Sequence, residues 1–398
     1  MNRKTDCIAC GESNLIQILD LKEQPLANSY HKGEELPKYP LRLNLCKNCY
    51  HLQLAYIVNP DELFKTYLYV SGTTNTLREY FKWFAEWTSG KVTQYTGNVL
   101  DIACNDGTQL DAFKDLGWKT YGVDPAENLH PISSKNHEVI CGYFDDTVFH
   151  KQFDIIVAQN VFAHTENALN FLQNAACRMH DDSLLFIQTS QADMVRSNQF
   201  DTIYHEHLSF FNINSMYTLA KRSSLTLTNV DKVPIHGISY IFTFTKRKGI
   251  AGSCNTMLEE EIKSGLTDFN TYLSYVKNIE TVVSDLKSFI NLKKENRVKI
   301  VAYGAAAKGM TLLNYAGIVP DIIVDDNEMK IGLFTPGTNV RIEHPSVLSS
   351  IQEPIVILPL AWNFYNEIKS KVLPCRQGWQ DTWVKYFPSL QVEKLQQD

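Results

Sequence analysis

The densest group of potentially reactive side chains lies in the segment FDTIYHEHLSFF, which holds Tyr204, His205, Glu206 and His207 in succession. An imidazole, with an unperturbed pKa of about 6.5, is suited to general base catalysis near neutral pH. A carboxylate can fix its tautomer, and a phenol can donate a hydrogen bond to a developing oxyanion. In an extended segment Tyr204 and Glu206 share a face, whereas in a helix Tyr204 and His207 do. We predict an acid–base site here; a metal site or simple packing of these side chains are the alternatives.

Four of the nine cysteines form two Cys-x-x-Cys pairs near the N-terminus, namely Cys7 with Cys10 and Cys46 with Cys49. Two-residue spacing lets both thiolates of a pair bind one ion, and four thiolates complete the tetrahedral shell of a structural Zn²⁺. A redox pair is disfavoured because neither motif lies in a βαβ context, and the odd, scattered total argues against a disulfide framework. Four incidental reduced cysteines are the alternative to the predicted zinc site.

A small polar turn directly follows an apolar strand in VLDIACNDGTQL. Ligands of open α/β sheets bind beyond the carboxyl ends of the strands, and small residues allow an adenosyl sulfonium to approach closely. A carboxylate at the end of the next strand can accept hydrogen bonds from both ribose hydroxyls. The turn lacks G-x-G-x-x-G, which disfavours a pyrophosphate cradle, and an ordinary βα turn with a buried cysteine is the alternative. The predicted cofactor residues are Asp101, Cys104, Asn105, Asp106, Gly107 and Asp124.

Alternating strands and helices must position these motifs. The sequence predicts an amphipathic helix over about 73–96, then strands in GNVLDIAC, FDIIVAQN and SLLFIQTS with helices between them. Such alternation predicts a parallel sheet with right-handed crossovers. A long charged helical stretch over about 255–297 is predicted next, and a second α/β block begins at VKIVAYGAAAKG.

Composition bounds the class of protein. The 398 residues suffice for about two to three domains, and 44% hydrophobic with 21% charged residues is typical of a globular chain. A net charge of -6 argues against a basic nucleic-acid binder. No apolar run approaches the ~20 residues of a membrane helix, and the N-terminus does not read as a signal peptide. We expect a cytoplasmic monomer that binds neither nucleic acid nor membrane.

The segments LDIACNDGTQL, GVDPAEN and AQNVFAHTEN resemble the S-adenosylmethionine-binding motifs of class I methyltransferases. Together with the four cysteines, IYHEH, PIHG and VAYGAAAKG, they resemble the three-domain sugar C-methyltransferases of deoxysugar biosynthesis. The resemblance implies an α/β fold with three parts. These are a zinc-binding module over 1–70, a Rossmann-like methyltransferase domain over 71–250, and a second Rossmann-like, substrate-binding domain over 251–398.

The resemblance also implies roles for individual residues. His207 and Tyr204 would carry the deprotonation of a carbon next to a ketone, supported by Glu206, with His164 near the same site. The resulting enolate would be methylated on carbon, on a nucleotide-linked keto-deoxysugar. Tyr69, Gln159 and Asn160 would bind the cofactor, and His236 with Gly237 would line the substrate.

The loop VAYGAAAKG places a helix start, which favours anions, next to Lys308, which suits phosphate. We predict that Tyr303 and Lys308 help to bind the nucleotide diphosphate of the substrate; a second dinucleotide site and a scaffold are the alternatives. The loop does not match the P-loop pattern.

Departures from the resembled family put the particular sugar in question. They are Gln188 in place of an acid, Ser190 in place of a proline, Ile238 in place of a glycine, and Tyr240 in place of an arginine. An O- or N-methyltransferase, a non-catalytic nucleotide-sugar binding module and an oxidoreductase are the competing functions.

Overall fold

The computed structural model describes residues 1–64, 70–93, 96–145, 148–191, 193–248 and 252–394. The chain divides into two compact units that are each assembled from separate stretches. The first unit comprises Met1–Gln17, Asn44–Ala192 and Glu206–Phe269, and the second comprises Ile18–Leu43, Asp193–His205 and Asn270–Asp398. Tyr69 lies outside the described residues.

The N-terminal stretch is built from short strands and two helices. They are β1 (Asn2–Arg3), β2 (Leu15–Gln24), β3 (Tyr39–Cys46), β4 (Leu52–Leu54), β5 (Tyr56–Ile57), α1 (Pro60–Phe64) and α2 (Asn75–Ser89). In α2, Leu77, Phe81 and Phe84 bury one face at helical spacing. The helix ends at Ser89 rather than near residue 96 as predicted. Thr88 turns its hydroxyl back onto the carbonyls of Phe84 and Ala85, and Gly90 follows as the C-cap.

A mixed sheet forms the core of the first unit. Its elements are β6 (Asn98–Ile102), α3 (Thr108–Asp115), β7 (Lys119–Asp124), α4 (His130–Ser133), β8 (Glu138–Cys141), β9 (Phe153–Gln159), α5 (Ala168–Cys177), β10 (Met179–Thr189), β11 (Ser209–Phe210), α6 (Ile213–Arg222), β12 (Thr226–Val233), β13 (Ser239–Thr245) and α7 (Cys254–Lys263). Among the described residues the sheet order is β12–β13–β10–β9–β6–β7–β8, and β11 pairs with β4 instead. The predicted parallel sheet is confirmed for β8, β7, β6, β9 and β10, whereas β13 runs antiparallel to both of its neighbours.

The predicted helical stretch over about 255–297 is two helices. The first is α7 and the second is α8 (Phe269–Glu295). Gly265, with a φ of 82°, donates its N–H to the carbonyl of Ile262 and turns the chain out of the first helix. A left-handed glycine is a common stop signal at the end of a helix, which explains the break.

The second unit contains a second Rossmann-like sheet. Its further elements are β14 (Ile300–Tyr303), α9 (Ala307–Ala316), β15 (Ile322–Val324), β16 (Ile342–Glu343), β17 (Val356–Pro359), α10 (Tyr365–Val372), β18 (Thr382–Lys385) and β19 (Gln391–Lys394). Within the described part of the chain, the order is β16–β15–β14–β17–β18–β19, parallel except for β19. No helix of the described ranges combines the length and the apolar character that a membrane span requires.

Candidate cofactor and acid–base site

The two Cys-x-x-Cys pairs of the first unit converge on one point. The Sγ atoms of Cys7, Cys10, Cys46 and Cys49 all lie within 4.8 Å of one another. Between the two motifs, the Sγ atoms of Cys7 and Cys49 are 3.5 Å apart, and so are those of Cys10 and Cys46. Four thiolates around a tetrahedral Zn²⁺ lie about 3.8 Å from each other, so the cluster fits the ion with no position left for water. These four residues would hold a structural zinc.

Helix α6 anchors both metal-binding turns. Arg222 donates to the carbonyl of Ala9 (2.7 Å), and the Asn214 side chain donates to the carbonyl of Cys49 (2.9 Å). The buried carboxylate of Glu261 in turn accepts the backbone N–H groups of Ile213 and Asn214, at 2.7 and 2.8 Å. The metal-binding turns are therefore held by α6, which belongs to the same stretch of the first unit, Glu206–Phe269, as His207.

The turn between β6 and α3 has the tight backbone that its small residues predict. Ala103, Asn105 and Gly107 have φ values of 64°, 52° and 86°. A Cβ on Gly107 would lie 3.1 Å from the His137 ring, so this position favours glycine doubly. Cys104 is buried and packs on Gly122, where an added Cβ would meet its Sγ at 2.6 Å. Cys104 thus fills the space beneath the turn.

Asp124 is fixed at the end of β7 by two backbone donors. Its Oδ2 accepts from the N–H of Asn105 (2.9 Å) and its Oδ1 from the N–H of Ala126 (2.8 Å). Each carboxylate oxygen keeps a second lone pair, which leaves room for two hydroxyl donors. Burial raises the pKa of Asp124 against the effect of these hydrogen bonds. Burial and the nearby Asp124 and Asp106 raise the pKa of Asp101 well above its ordinary value.

A cavity of about 340 Å³ opens at the carboxyl ends of these strands, within the first unit. Predicted residues that line it are Asp101, Cys104, Asn105, Asp124, Gln159, Asn160, His164 and His236. Asp106 and Gly107 belong to the adjoining turn: Asp106 accepts the N–H groups of Gly72 and Thr108 at 2.9 and 3.2 Å. The structure therefore brings the cofactor residues of two separate sequence motifs to one cavity.

Three polar atoms around this cavity are buried without a hydrogen-bond partner among the described residues. They are Gln159 Oε1, Asn160 Oδ1 and His164 Nε2. Buried polar atoms are normally paired, so unpaired acceptors in a cavity wall indicate a ligand that supplies donors. A ligand with ribose hydroxyls and an ammonium group offers such donors, which fits S-adenosylmethionine. Asp124 would hold the ribose of the cofactor, and the Asn160 end of the cavity would hold its amino-acid part.

His164 and His207 form a stacked pair beside the cavity. Their ring centroids are 5.2 Å apart at an interplanar angle of 29°. Burial lowers the pKa of His164 to about 4, so this imidazole is neutral at physiological pH. His207 is 5% exposed, and its Nδ1 lies 3.5 Å from the side-chain nitrogen of Gln191. Glu206 is buried as well. His164 and His207, which lie in separate sequence motifs, are therefore in contact, and their catalytic roles stay a prediction.

The acid–base segment is neither the extended strand nor the helix considered from the sequence. Residues 204–206 form a bend and a turn before β11 begins at Ser209. Glu206 and His207 belong to the first unit, whereas the partly buried Tyr204 and the buried His205 belong to the second. His205 directs Nε2 at the carbonyl of Tyr39 (3.3 Å), and burial lowers its pKa to about 4. His205 therefore has a packing role.

The predicted substrate-binding residues are divided between the two units. Gly237 has a φ of 101° and follows the cavity-lining His236. Tyr303 and Lys308 belong to the second unit. The Tyr303 hydroxyl donates to Asp326 (2.9 Å), and the Lys308 ammonium lies 5.0 Å from the Trp362 ring centroid. Gln188 is buried and accepts from the Tyr80 hydroxyl, Tyr240 is buried, and Ile238 is 42% exposed.

Several residues of the cavity lie outside the motifs that the sequence singled out. Phe64 and Tyr143 line it, and Gln191 contacts the proposed base. Phe64 lies in a short helix with no reactive motif, and Tyr143 follows a weak, exposed strand. Of these residues, only Tyr143 could have been predicted, because it follows the carboxyl end of β8, next to the strand end that carries Asp124.

Comparisons with known proteins identify all three parts of the chain. A model described as a putative zinc binding domain matches residues 7–64, one described as a methyltransferase domain matches 75–230, and one described as a C-methyltransferase C-terminal domain matches 234–388. C-methyltransferase NovU from Streptomyces niveus is 26% identical over 384 residues, 91% of each chain. The PH0226 protein from Pyrococcus horikoshii OT3 is similar in structure, with a TM-score of 0.38 and 15% identity over 48% of this chain and 100% of that one.

The sheet order, the cofactor turn and the cavity define a class I S-adenosylmethionine-dependent methyltransferase. The zinc-binding and C-terminal matches narrow this class further: the chain is an S-adenosylmethionine-dependent C-methyltransferase, and three family models match successive parts of it. Its cofactors are S-adenosylmethionine and a structural Zn²⁺.

Proposed function

We propose that this enzyme methylates a carbon next to the ketone of a nucleotide-linked keto-deoxysugar, through an enolate. The observation that carries the proposal is the buried His164–His207 pair beside a cavity suited to S-adenosylmethionine. An O- or N-methyltransferase acts on an atom that already has a lone pair and needs no base for a C–H bond. A carbon nucleophile needs a base that removes a proton first.

His207 is the proposed base. A neutral imidazole takes the proton from the carbon next to the ketone, and the electron pair of the C–H bond moves onto the carbonyl oxygen as an enolate. Tyr204, three positions earlier in the chain, is the proposed donor to that oxygen, and Glu206 stabilises the imidazolium that forms. S-adenosylmethionine supplies, when bound, the electrophilic methyl group that the enolate carbon takes up.

His164 supports this chemistry as a neutral neighbour. A protonated His164 would repel the imidazolium that His207 becomes, whereas burial keeps His164 uncharged. The Nε2 of His164, buried and without a partner among the described residues, is then available to the ligands of the cavity.

The substrate contacts remain part of the proposal. His236 and Gly237 are proposed to line the sugar, since His236 reaches the cavity wall. The domain over 251–398 is proposed to hold the nucleotide diphosphate at the start of α9, near Lys308. Residues 1–70 and 71–250 are the proposed zinc-binding and methyltransferase domains.

Mass spectrometry of a panel of nucleotide-linked keto-deoxysugars, incubated with the enzyme and S-adenosylmethionine, tests the function. The expected product is 14 mass units (about one CH₂) heavier, by replacement of hydrogen with methyl. With ¹³C-methyl-labelled S-adenosylmethionine, the labelled methyl of the product should show the ¹³C NMR shift of a methyl on carbon. A methyl resonance typical of a methyl ether or an N-methyl group would instead favour an oxygen or nitrogen acceptor. Binding of S-adenosylmethionine without turnover of any panel member would favour the binding module.

A further inference from the structure

We propose that Phe64, in helix α1 of the zinc-binding part, is a positioning residue for the two imidazoles of the acid–base site. This inference rests on the proposed function in so far as His207 is the base. Phe64 belongs to no catalytic motif, and its role follows from its contacts within the first unit.

Phe64 is the first ring of a three-ring column. Its centroid lies 5.3 Å from that of His164, and the two planes are inclined by only 8°. His164 also stacks on His207, with ring centroids 5.2 Å apart. The contacts therefore run from α1 through the neutral imidazole to the proposed base. A ring stacked on its neighbours cannot rotate freely about χ2, so Phe64 restricts the plane of His164, and His164 restricts that of His207.

Helix α1 is itself held against the cavity. The Tyr143 hydroxyl donates to Asp61 Oδ1 at 3.0 Å, and Tyr143 lines the cavity together with Pro60 and Phe64. Lys4, directly after β1, lies 3.8 Å from Glu166, two positions after His164. Because α1 has only five residues and buries none of them fully, the hydrogen bond from Tyr143 to Asp61 and the ring stack help to hold it in place.

The zinc-binding part thereby contributes to catalysis as well as to stability. β1 pairs with β5, which immediately precedes α1, and the metal-binding turns fix the start of the same stretch. A rigid support of this kind matters because a misplacement of a base by about 1 Å can cost on the order of 100-fold in rate. Phe64 is the side chain through which this support reaches the imidazoles.

Phe64→Leu, with Phe64→Tyr as the aromatic rescue, tests the proposal. Leucine keeps an apolar wall but removes the stack, so kcat for methyl transfer should fall by about 10-fold or more, with KM for the keto sugar within about threefold. Tyrosine restores a flat ring and should recover most of the rate. Glu62→Ala, an exposed position of the same helix, is the matched control and should resemble the wild type.

Two further measurements keep the test independent of the sugar. The imidazole Cε1–H resonance of His164 should move downfield in Phe64→Leu, as ring-current shielding is lost, and return in Phe64→Tyr. Zinc content should stay unchanged in both variants. If the leucine variant does not fold, Phe64→Met takes its place.

A leucine variant with wild-type kcat, or a tyrosine variant no better than leucine, would overturn the positioning role. An unmoved His164 resonance would do so as well. The resonance needs no substrate, so it decides the role of Phe64 even if the wild-type enzyme methylates no keto sugar.

Discussion

Two corners of the molecule share one backbone pattern but differ in the side chains that fill them. The first is the β6–α3 turn with Asp124, and the second is the β14–α9 turn with Asp325. In the first unit Ala103 donates to the carbonyl of Val123, and in the second Gly304 donates to that of Val324, at 2.7 and 2.8 Å. Asp124 accepts from the N–H groups of Asn105 and Ala126, as Asp325 accepts from those of Ala305 and Asn327. Each acid ends the second strand of a Rossmann-like order.

The second corner is occupied by the protein's own side chains. Lys330 donates to the carbonyl of Ala305 (2.8 Å) and lies 3.8 Å from the Asp325 carboxylate. Tyr30 donates to the same carbonyl, and the ammonium lies 4.8 Å from its ring centroid. Burial opposes the charge of Lys330, but Tyr30 and Asp325 raise its pKa. The pattern of strand, turn and acid therefore does not by itself make an adenosyl-binding site; the space beside the acid must also be left open.

Replacing each of the two acids with alanine should give the largest difference between the two corners. Asp124→Ala removes both proposed ribose acceptors and should weaken S-adenosylhomocysteine binding by at least about 100-fold. Asp325→Ala should leave that affinity within about threefold, because its corner holds Lys330 instead. Calorimetric titration of both variants checks the difference, and equal losses would show that the corners are not distinct.

Removing the internal cation should affect stability alone. Lys330→Met deletes the hydrogen bond to Ala305 and removes the ammonium group beside the Asp325 carboxylate. The loss should cost on the order of 2 kcal/mol of unfolding free energy. Urea unfolding followed by fluorescence measures this. Lys330→Arg is the control that keeps the charge. A variant of unchanged stability would mean that Lys330 does not hold the corner.

The two turn glycines allow a matched test of smaller size. Gly107 and Gly304 have φ values of 86° and 90°, and an added Cβ would have neighbours at 3.1 and 3.0 Å. Alanine at either position should cost about 1–2 kcal/mol of unfolding free energy. Only Gly107→Ala should also weaken S-adenosylhomocysteine binding, by about 10-fold. A loss of affinity in Gly304→Ala would contradict the assignment.

The smallest expected effect is on the pH dependence of stability. The pKa of His164 is about 4 in the folded state, below the ordinary 6.5, so the unfolded chain binds more protons as the pH falls below 6.5. Unfolding free energy should therefore decrease with falling pH, by about 1 kcal/mol between pH 6.5 and 5.5 from this residue. Urea titrations at both pH values check it. His164→Gln should reduce the dependence by this amount, while His205 keeps its own contribution; an identical slope in that variant would exclude His164 as a source.

Local motifs made much of this site predictable. The spacing within each Cys-x-x-Cys pair and the small residues of the turn at Asn105 are local features. They predicted the four-cysteine cluster, which the structure shows, and a cofactor turn at Asn105, which stays a prediction. The pairing of His164 with His207 joins residues 43 positions apart, and the resemblance to a family supplied what spacing could not. Phe64 and Lys330 carried no signal, because their roles depend on packing between distant stretches. The helical stretch predicted over 255–297 is interrupted once, because Gly265 ends α7 in a left-handed conformation.

Proton exchange at the substrate carbon tests the central claim most directly. The enzyme is mixed in D₂O with S-adenosylhomocysteine and a keto-deoxysugar nucleotide that the panel identified, and the hydrogen next to the ketone is followed by NMR. The account predicts exchange with the wild type and none above background with His207→Ala, which should still bind S-adenosylhomocysteine normally. Wild-type exchange by His207→Ala would contradict the role of this imidazole as the base.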